Sequence, residues 1–370
     1  MLETFRTALS DLEQAGRLRA LSPRLRHDFS SNDYLALADS PELAQAVQEA
    51  LARGVPVGAG GSRLLCGNHL EHETLEAEAA RFFGAESALY FGGGFPANSA
   101  LFATLPQRGD LILYDELIHA SVHDGLRMSR AESQGIAHND VLAFEEALKA
   151  HRGRGRVWMA VESLYSMDGD LAPLSDLMEL ALRHQAMLVV DEAHATGVLG
   201  PDGRGLTAPF EGCLNVIALH TCGKALGSMG GILTCAQVLK DFMVNRARPF
   251  IFATAPSPLM AAVVRASLKL CQEQPERRER LAALVAFTGQ RLREIGLTPS
   301  GTQIQPIIVG APERAVALAG QLQAKGYDIR AIRPPTVPEG TSRLRLTITL
   351  NVDEAVMANL LADLKSLLKP

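Results

Sequence analysis

The stretch AMLVVDEAH, residues 186–194, decides the fold of this chain. A short apolar run ends at Asp191, and His194 follows three residues later. Such a run predicts a buried strand of a parallel sheet, where the carboxyl ends of the strands form the ligand crevice. A carboxylate there either caps a helix, which is the more common role, or accepts a hydrogen bond from a buried group. The stretch therefore predicts a sheet edge that carries Asp191 and His194.

The same pattern extends outward along the chain. From about residue 70, helical patterns alternate with further apolar runs, namely SALYFG (87–92), DLILYD (110–115), RVWMAVES (156–163) and NVIALHT (215–221). This alternation predicts an α/β fold with a mostly parallel sheet between helices. After about residue 258 the pattern changes to long helices followed by two strand-like runs, which predicts a smaller α+β domain. We expect an N-terminal helix and segment (1–40), a large domain (41–258) and a small C-terminal domain (259–370).

Composition excludes several classes of protein. The 370 residues are 47% hydrophobic, which supports a large core, and 36 Lys+Arg against 41 Asp+Glu give a formal charge of −5. Because no basic block or membrane-length apolar run occurs, neither a nucleic acid nor a membrane is an expected partner. The five scattered cysteines lack C-x-x-C spacing, which argues against disulfides and a metal site and favours a reducing cytoplasm.

The stretch HTCGKALGSMGG, residues 220–231, places Lys224 among small residues directly after an apolar run. A phosphate-binding P-loop would need glycine six residues before the lysine and Ser or Thr after it. The chain has Ala218 and Ala225 at those positions, which disfavours a P-loop nucleotide-binding module. A structural lysine in a tight turn and a reactive amine in a crowded pocket both remain open.

Two further apolar runs lead into polar residues. Glu162 lies near the end of the run RVWMAVES, and Ser166 follows it. His119 lies four residues after the run DLILYD. Each of these residues could be a structural group whose hydrogen bonds are satisfied. Their shared position at strand ends favours a functional interpretation, in which they converge with Lys224 on one edge of the sheet.

The glycine-rich stretch YFGGGFPANSALF, residues 90–102, runs from a strand into a helix predicted to start near Pro96. Free backbone N–H groups and the positive helix end suit a phosphate, although the motif also describes an ordinary tight turn with a helix cap. It does not match the dinucleotide fingerprint. A lysine, a carboxylate and a phosphate loop are together the groups that pyridoxal phosphate uses.

At this point the sequence resembles the α-oxoamine synthases, a family of fold-type I pyridoxal-phosphate enzymes. The motifs extend over nearly the whole chain. They are FSSNDYLAL (29–37), GAGGSRLLCGNHLEHETLE (58–76), FGGGFPAN (91–98), HASVHDG (119–125), ESLYSMDGDLAPL (162–174), VDEAHATGVLGPDGRG (190–205), TCGKALG (221–227) and RPPTVPEGTSRLRLT (333–347).

The resemblance implies a fold-type I transferase, with a mostly parallel sheet of the seven-stranded type in the large domain. It also implies a reaction that joins a small amino acid to an acyl thioester with loss of CO2. The stretch AIRPPTVPEGTSRLRLTIT, residues 331–349, is most similar to members that use L-alanine and a pimeloyl thioester, on acyl carrier protein or coenzyme A, in biotin biosynthesis. Sister activities are the alternatives: glycine with acetyl-CoA or succinyl-CoA, or serine with a long-chain acyl thioester. An inactive scaffold fits poorly with an intact set of reactive residues.

The resemblance also implies roles for individual residues. Lys224 would hold the cofactor as a Schiff base and act as the base, His119 would stack on the pyridine ring and assist at the thioester carbonyl, and Asp191 would pair with the pyridine nitrogen. The other expected cofactor contacts are His194, Ser166, Thr221, the backbone of Gly94 and Phe95, and Thr254, which would reach the phosphate of the partner in a homodimer with shared active sites. The expected substrate contacts, besides His119, are Arg19, Asn32, Arg333, Thr336 and Arg345.

The chain departs from the family pattern near its N-terminus. Only SPRLR, residues 22–26, separates the first helix from HDFSSNDYL, residues 27–35, where a longer segment with a hairpin is usual. An arginine near the end of that helix would meet the far carboxylate of the pimeloyl chain, and Arg19 is chosen over Arg17. The phosphate loop has FGGG where serines are usual, and Ser163 follows Glu162 where glycine is common.

Overall fold

The computed structural model describes residues 2–210 and 212–368. The helices are α1 (Glu3–Gln14), α2 (Pro41–Ala52), α3 (Leu70–Phe82), α4 (Gly94–Thr104), α5 (Ala120–Met128), α6 (Val141–Ala150), α7 (Leu174–Arg183), α8 (Gln237–Arg246), α9 (Arg248–Ile251), α10 (Pro258–Glu273), α11 (Pro275–Glu294), α12 (Pro312–Gln323) and α13 (Glu354–Leu368). The strands are β1 (His27–Asp28), β2 (Ser87–Phe91), β3 (Leu111–Asp115), β4 (Glu132–Ile136), β5 (Val157–Glu162), β6 (Met187–Asp191), β7 (Val216–Thr221), β8 (Gly231–Cys235), β9 (Ile304–Gly310), β10 (Tyr327–Asp328), β11 (Arg330–Ile332) and β12 (Ser342–Thr347).

Seven strands form the large sheet, in the order β2-β8-β7-β6-β5-β3-β4. Only β8 runs against its neighbours, so the prediction of a mostly parallel sheet is confirmed. All five apolar runs form strands, whereas β4 and β8 were not predicted. Strand β4 lies at the edge of the sheet, and four of its five residues, ESQGI, are exposed. Because an exposed edge strand needs no apolar residues, its sequence has no apolar run from which to predict a strand.

Both faces of this sheet are covered by apolar layers. In β5, Trp158 and Ala160 pack into the layer that includes α4, while Met159 and Val161 pack into the layer that includes α7. This alternation follows from the two-residue period of a strand, and burial on both faces explains why the strands read as continuous apolar runs. By the same period, the side chain of Glu162 points to the α4 face.

The chain divides into two compact units. The larger contains residues 35–166 and 171–278, and the other contains the described residues up to 34 together with 167–170 and those from 279 onward. The boundary differs from the one expected after residue 258, because α10 packs on α2 and α3. The N-terminal segment groups with the C-terminal residues, because β1 pairs with β10.

The second unit is built on an antiparallel sheet in the order β11-β12-β9, against which α12 packs. The N-terminal helix expected within residues 1–40 is α1, Glu3–Gln14, and Gly16 beyond its end takes a positive φ of 63°. No residue of α1 is buried. Within the described residues, no helix is long and apolar enough to cross a membrane.

Candidate active site

Lys224 lies in the turn between β7 and β8, and its Nζ is 2.8 Å from Nε2 of His194. The glycines around it have a structural reason. A Cβ on Gly227 would come within 2.6 Å of the backbone at Ala38, and one on Gly230 within 2.3 Å of the ring of Tyr90. The tight turn therefore needs small residues, and the lysine amine is held against an imidazole.

The P-loop alternative is ruled out by the element that follows this turn. The chain returns as strand β8, whereas a P-loop leads into a helix.

Asp191 ends β6 and is buried. Its Oδ1 accepts a hydrogen bond from the backbone N–H of Ala193 (2.9 Å), and its Oδ2 accepts one from Nδ2 of Asn98 (2.7 Å). Asn98 is buried on α4, the helix that follows the glycine-rich stretch. The carboxylate thus closes a local turn and is also fixed by a side chain from another element, which sets its orientation.

His119 caps the N-terminus of α5 and belongs to the same network. Its Nδ1 accepts the backbone N–H of Ser121 (3.2 Å) and lies 2.8 Å from Ser121 Oγ, which accepts a hydrogen bond from Asn98 Nδ2 (3.0 Å). Burial lowers the pKa of His119, and the charge of Lys224 lowers it further, while Asp191 acts in the opposite direction. In its neutral form the ring carries the proton on Nε2, because Nδ1 accepts the N–H of Ser121.

The glycine-rich stretch enters α4 through Gly93, with no side-chain cap on the first turn. The backbone N–H groups at this helix end can donate hydrogen bonds to an anionic ligand. A Cβ on Gly94 would lie 2.5 Å from Oγ1 of Thr221, so the hydroxyl fits closely against a backbone that only glycine allows. Phe95 is about half exposed, and its ring meets that of His119 edge-on at 6.2 Å. The two residues predicted to bind phosphate and Thr221 therefore form one cradle.

Glu162 is the last residue of β5, and Ser166 lies beyond the end of the strand. The N–H of Ser166 donates to Glu162 Oε2 at 3.2 Å, and Glu162 is fully buried. Burial raises the pKa of Glu162 well above its usual range, and the neighbouring Asp191 raises it further. Thr254 is exposed on the segment between α9 and α10 and takes no part in these hydrogen bonds among the described residues.

Apart from His119, which lies in the larger unit, the predicted substrate residues belong to the second unit, where they form two groups. In the first group, Arg345 is buried on β12 and donates to Asn32 Oδ1 (3.1 Å) and Thr347 Oγ1 (2.9 Å). Both partners are neutral, so these two hydrogen bonds orient the guanidinium without cancelling its charge.

The second group lines a cleft of about 750 Å³, which we call the arginine cleft. Its lining residues are Leu9, Leu12, Arg17, Leu18, Arg19, Ala331, Ile332, Arg333, Pro334, Pro335 and Thr336. Arg17 forms a salt bridge with Glu339 (2.5 Å), whereas Arg19 donates to the neutral hydroxyl of Thr336 (3.4 Å), and Arg333 donates to the carbonyl of Gly16. Arg19 and Arg333 therefore keep their positive charge for a ligand.

The sequence did not identify Asn98 or Ser121 as functional residues. Both lie within quoted motifs, FGGGFPAN and HASVHDG, so a signal was present. However, the positions alone do not reveal that Asn98 reaches Asp191, 93 residues further along the chain. Within the described residues, no group of three or more His, Cys, Asp or Glu side chains could hold a metal ion.

A model of the aminotransferase class I and II family matches residues 27–364. This chain belongs to that family. The family and the architecture together confirm the predicted fold-type I class.

Within this family, the chain is similar to two kinds of enzyme. The chain is 44% identical to the 8-amino-7-oxononanoate synthase of Chromobacterium violaceum, over 94% of either chain. A solved structure of serine palmitoyltransferase with PLP as an internal aldimine matches with a TM-score of 0.90 and 26% identity, covering 99% of this chain and 97% of that one. The 8-amino-7-oxononanoate synthase of Francisella tularensis matches with a TM-score of 0.77 and 26% identity, covering 92% and 97%.

Proposed function

We propose that this chain catalyses the pyridoxal-phosphate-dependent condensation of L-alanine with a pimeloyl thioester. The products are 8-amino-7-oxononanoate, CO2 and the free thiol of the carrier, as a step of biotin biosynthesis. The identity of 44% to a named 8-amino-7-oxononanoate synthase, along 94% of the chain, carries the proposal. The site geometry supports it independently, because it supplies the groups that this cofactor requires.

The residues at the edge of the large sheet fit the cofactor. Gly94, Phe95 and Thr221 offer a cradle for its phosphate, one that a Cβ at position 94 would fill. Asp191 is a fixed carboxylate for the pyridine nitrogen, and Lys224 is the amine that would bind the aldehyde carbon. His194, Ser166 and Thr254 are proposed as its remaining contacts.

When bound, pyridoxal phosphate supplies an electron sink for the electron pair left on the amino acid when the Cα proton is removed. Lys224 takes that proton, since its amine is held at 2.8 Å by His194. His119 donates its Nε2 proton to a hydrogen bond with the carbonyl oxygen of the thioester. In the overall reaction a bond forms between alanine Cα and the acyl carbon, the C–S bond breaks, and the carboxyl group leaves as CO2.

The arginine cleft favours a pimeloyl thioester as the acyl substrate over a thioester with a long hydrocarbon chain. Leucine and proline side chains offer an apolar surface to methylene groups, while Arg19 and Arg333 can bind a carboxylate at the chain end. A purely apolar acyl chain would offer these two guanidinium groups no carboxylate to bind. The cleft therefore favours a dicarboxylic thioester, even though serine palmitoyltransferase has the higher TM-score. Arg345, Asn32 and Thr336 are proposed as further substrate contacts.

A homodimer with shared active sites is part of the proposal. Large apolar side chains are exposed on neighbouring segments of the larger unit, among them Val57, Leu65 and Phe252, with 67%, 84% and 70% of their surface accessible. The segments are joined by a hydrogen bond of 2.8 Å from the N–H of Ala255 to the carbonyl of Gly61. Large apolar side chains exposed on adjoining segments are typical of a protein interface. Sedimentation of wild-type and Leu65→Glu proteins tests the dimer, and an unchanged mass in the variant would contradict this interface.

The proposed compartment is the cytoplasm, because all five cysteines are free thiols. Thiol-reactive labelling of the protein in intact and lysed cells, compared with a periplasmic control protein, would test this assignment.

The reaction is tested by supplying purified protein and pyridoxal phosphate with matched substrate pairs. L-Alanine with pimeloyl-CoA should give 8-amino-7-oxononanoate by mass spectrometry and stoichiometric CO2. The kcat/KM should exceed that for L-serine with palmitoyl-CoA, or glycine with acetyl-CoA or succinyl-CoA, by at least about tenfold. Pimeloyl-acyl carrier protein in place of pimeloyl-CoA identifies the preferred carrier. Preference for serine and the long acyl chain would transfer the assignment to a sister activity.

A further inference from the structure

Glu162 is a buried carboxyl group with an unsatisfied oxygen. It is 2% exposed, its Oε2 accepts the N–H of Ser166 at 3.2 Å, and its Oε1 has no hydrogen-bond partner in the part of the chain that the structure describes. An ionised carboxylate has acceptor sites on both oxygens and is very costly to bury with a single donor. The neutral acid is much less costly under the same conditions.

Asp191 is the direct cross-strand neighbour of Glu162. Strands β5 and β6 are parallel, and their register pairs Glu162 with Asp191. Asp191 accepts from two donors, Asn98 and the N–H of Ala193, whereas Glu162 accepts from one. When two buried carboxyl groups share a site, the one with fewer donors keeps the proton.

We propose that Glu162 is a positioning residue of the active site: it retains a proton and presents a neutral carboxylic acid beside Asp191. Asp191 then carries the single negative charge of this pair, directed at the cofactor nitrogen. Only this last role depends on the proposed function, since the protonation of Glu162 is a property of the folded chain itself.

The charged groups around Glu162 come from several elements. Asp191 on β6 and Asp115 on β3 disfavour its ionisation, while Lys224 in the turn after β7 favours it. Tyr165, beyond β5, is also within electrostatic reach of Glu162. Burial has the largest effect and raises the pKa of Glu162. Asp191 and Asp115 raise this pKa further, while Lys224 and the N–H of Ser166 lower it.

The sign of the pH effect follows from linkage. The folded chain keeps a proton on Glu162 that the unfolded chain releases above the ordinary glutamate pKa. The associated stability is fully present below that pKa and is lost as the pH rises towards the folded-state pKa. Glu162→Gln mimics the neutral acid and has no proton to release. The free energy of unfolding of this variant therefore does not fall with rising pH on account of residue 162.

The test measures urea unfolding of the full chain loaded with pyridoxal phosphate between pH 5.5 and 8. The ratio of the wild-type unfolding constant to that of Glu162→Gln should rise by up to about tenfold per pH unit. Glu132→Gln, at an exposed position of β4, should follow the wild type. Glu162→Met is the second variant and should show the same reduced pH dependence as Glu162→Gln, whatever its absolute stability. Parallel curves for wild type and both variants would overturn the proposal.

A spectroscopic titration gives a second readout without catalysis. If Glu162 is neutral, Glu162→Gln keeps the pH midpoint of the visible cofactor band. If Glu162 is ionised, its removal deletes a charge beside Asp191 and Lys224 and shifts that midpoint by about one pH unit or more. Because neither readout uses the substrates, failure of the proposed reaction would leave both results interpretable.

Discussion

The edge of the large sheet and the arginine cleft use polar side chains in opposite ways. At the sheet edge, Asp191, Asn98 and His119 are joined through Ser121 by hydrogen bonds of 2.7–3.2 Å, and most of these groups are buried. In the cleft, Arg19 is exposed and its contact with Thr336 is a long 3.4 Å hydrogen bond. Proton transfer needs fixed protonation states, which burial and a complete network provide. Binding a chain-end carboxylate needs positive charge within reach and tolerates a mobile side chain.

Removing the amine at the sheet edge should have the largest effect. Lys224→Ala should lower kcat by roughly a thousandfold or more and abolish the visible band of the bound cofactor, because nucleophile and base are lost together. Absorbance spectra and steady-state rates check this. Lys269→Ala is the matched control on the exposed face of α10, and residual activity above about a tenth of wild type in Lys224→Ala would contradict the assignment.

Asp191→Asn should separate cofactor binding from turnover. The side chain keeps its shape but loses the negative charge, so kcat should fall by roughly a hundredfold to a thousandfold while the dissociation constant of pyridoxal phosphate changes far less. Spectroscopic titration of the cofactor gives the affinity, and single-turnover rates give the chemistry. Equal losses in affinity and rate would identify Asp191 as a simple binding residue.

In the cleft, Arg19→Met and Arg17→Met form a matched pair. Arg17 is already neutralised by Glu339, so only Arg19→Met should raise KM for the pimeloyl thioester, by about tenfold to a hundredfold. KM for the heptanoyl thioester, which lacks the far carboxylate, should not change in either variant. A larger effect from Arg17→Met would reverse the assignment of the two arginines.

Asn98→Ala tests whether the buried network matters for catalysis. Asp191 and the Ser121 hydroxyl would each lose a donor, at about 1–3 kcal/mol for each unsatisfied group. We expect kcat to fall by about tenfold, with a lower urea midpoint. Ser99→Ala removes a neighbouring hydroxyl that donates to the Ser121 carbonyl at 3.1 Å and should leave kcat near wild type. A wild-type rate in Asn98→Ala would show that Asp191 is oriented without it.

The smallest effect concerns pH. Desolvation lowers the pKa of His119, so the ring takes up its proton at a lower pH in the folded chain than in the unfolded chain. Because the unfolded chain binds more protons at this site than the folded chain does near and below pH 6.5, the site loses stability as the pH falls through that range. His119→Asn should reduce the pH dependence of the urea midpoint between pH 7 and 5.5. An unchanged dependence would mean that His119 titrates normally in the folded protein.

Sequence patterns predict the sheet edge but not the arginine cleft. The five apolar runs gave five strands, and the polar residues after them lie at one edge, because parallel strands end on the same side. Strand β4 could not be recognised, since four of its five residues face solvent and carry no apolar period. The cleft could not be derived either, because its lining comes from residues 9–19 and 331–336, which are distant in sequence.

The sequence by itself determined the α/β class, the mostly parallel sheet and the positions of Lys224, Asp191 and His194, since these depend on local periodicity and on motifs read along one segment. Tertiary structure alone decided that Asn98 fixes Asp191, and that Glu162 lies beside that aspartate with an oxygen unsatisfied. Hydrogen bonds and protonation states depend on which groups meet in space and on how much water is excluded, and neither quantity is encoded by spacing along the chain.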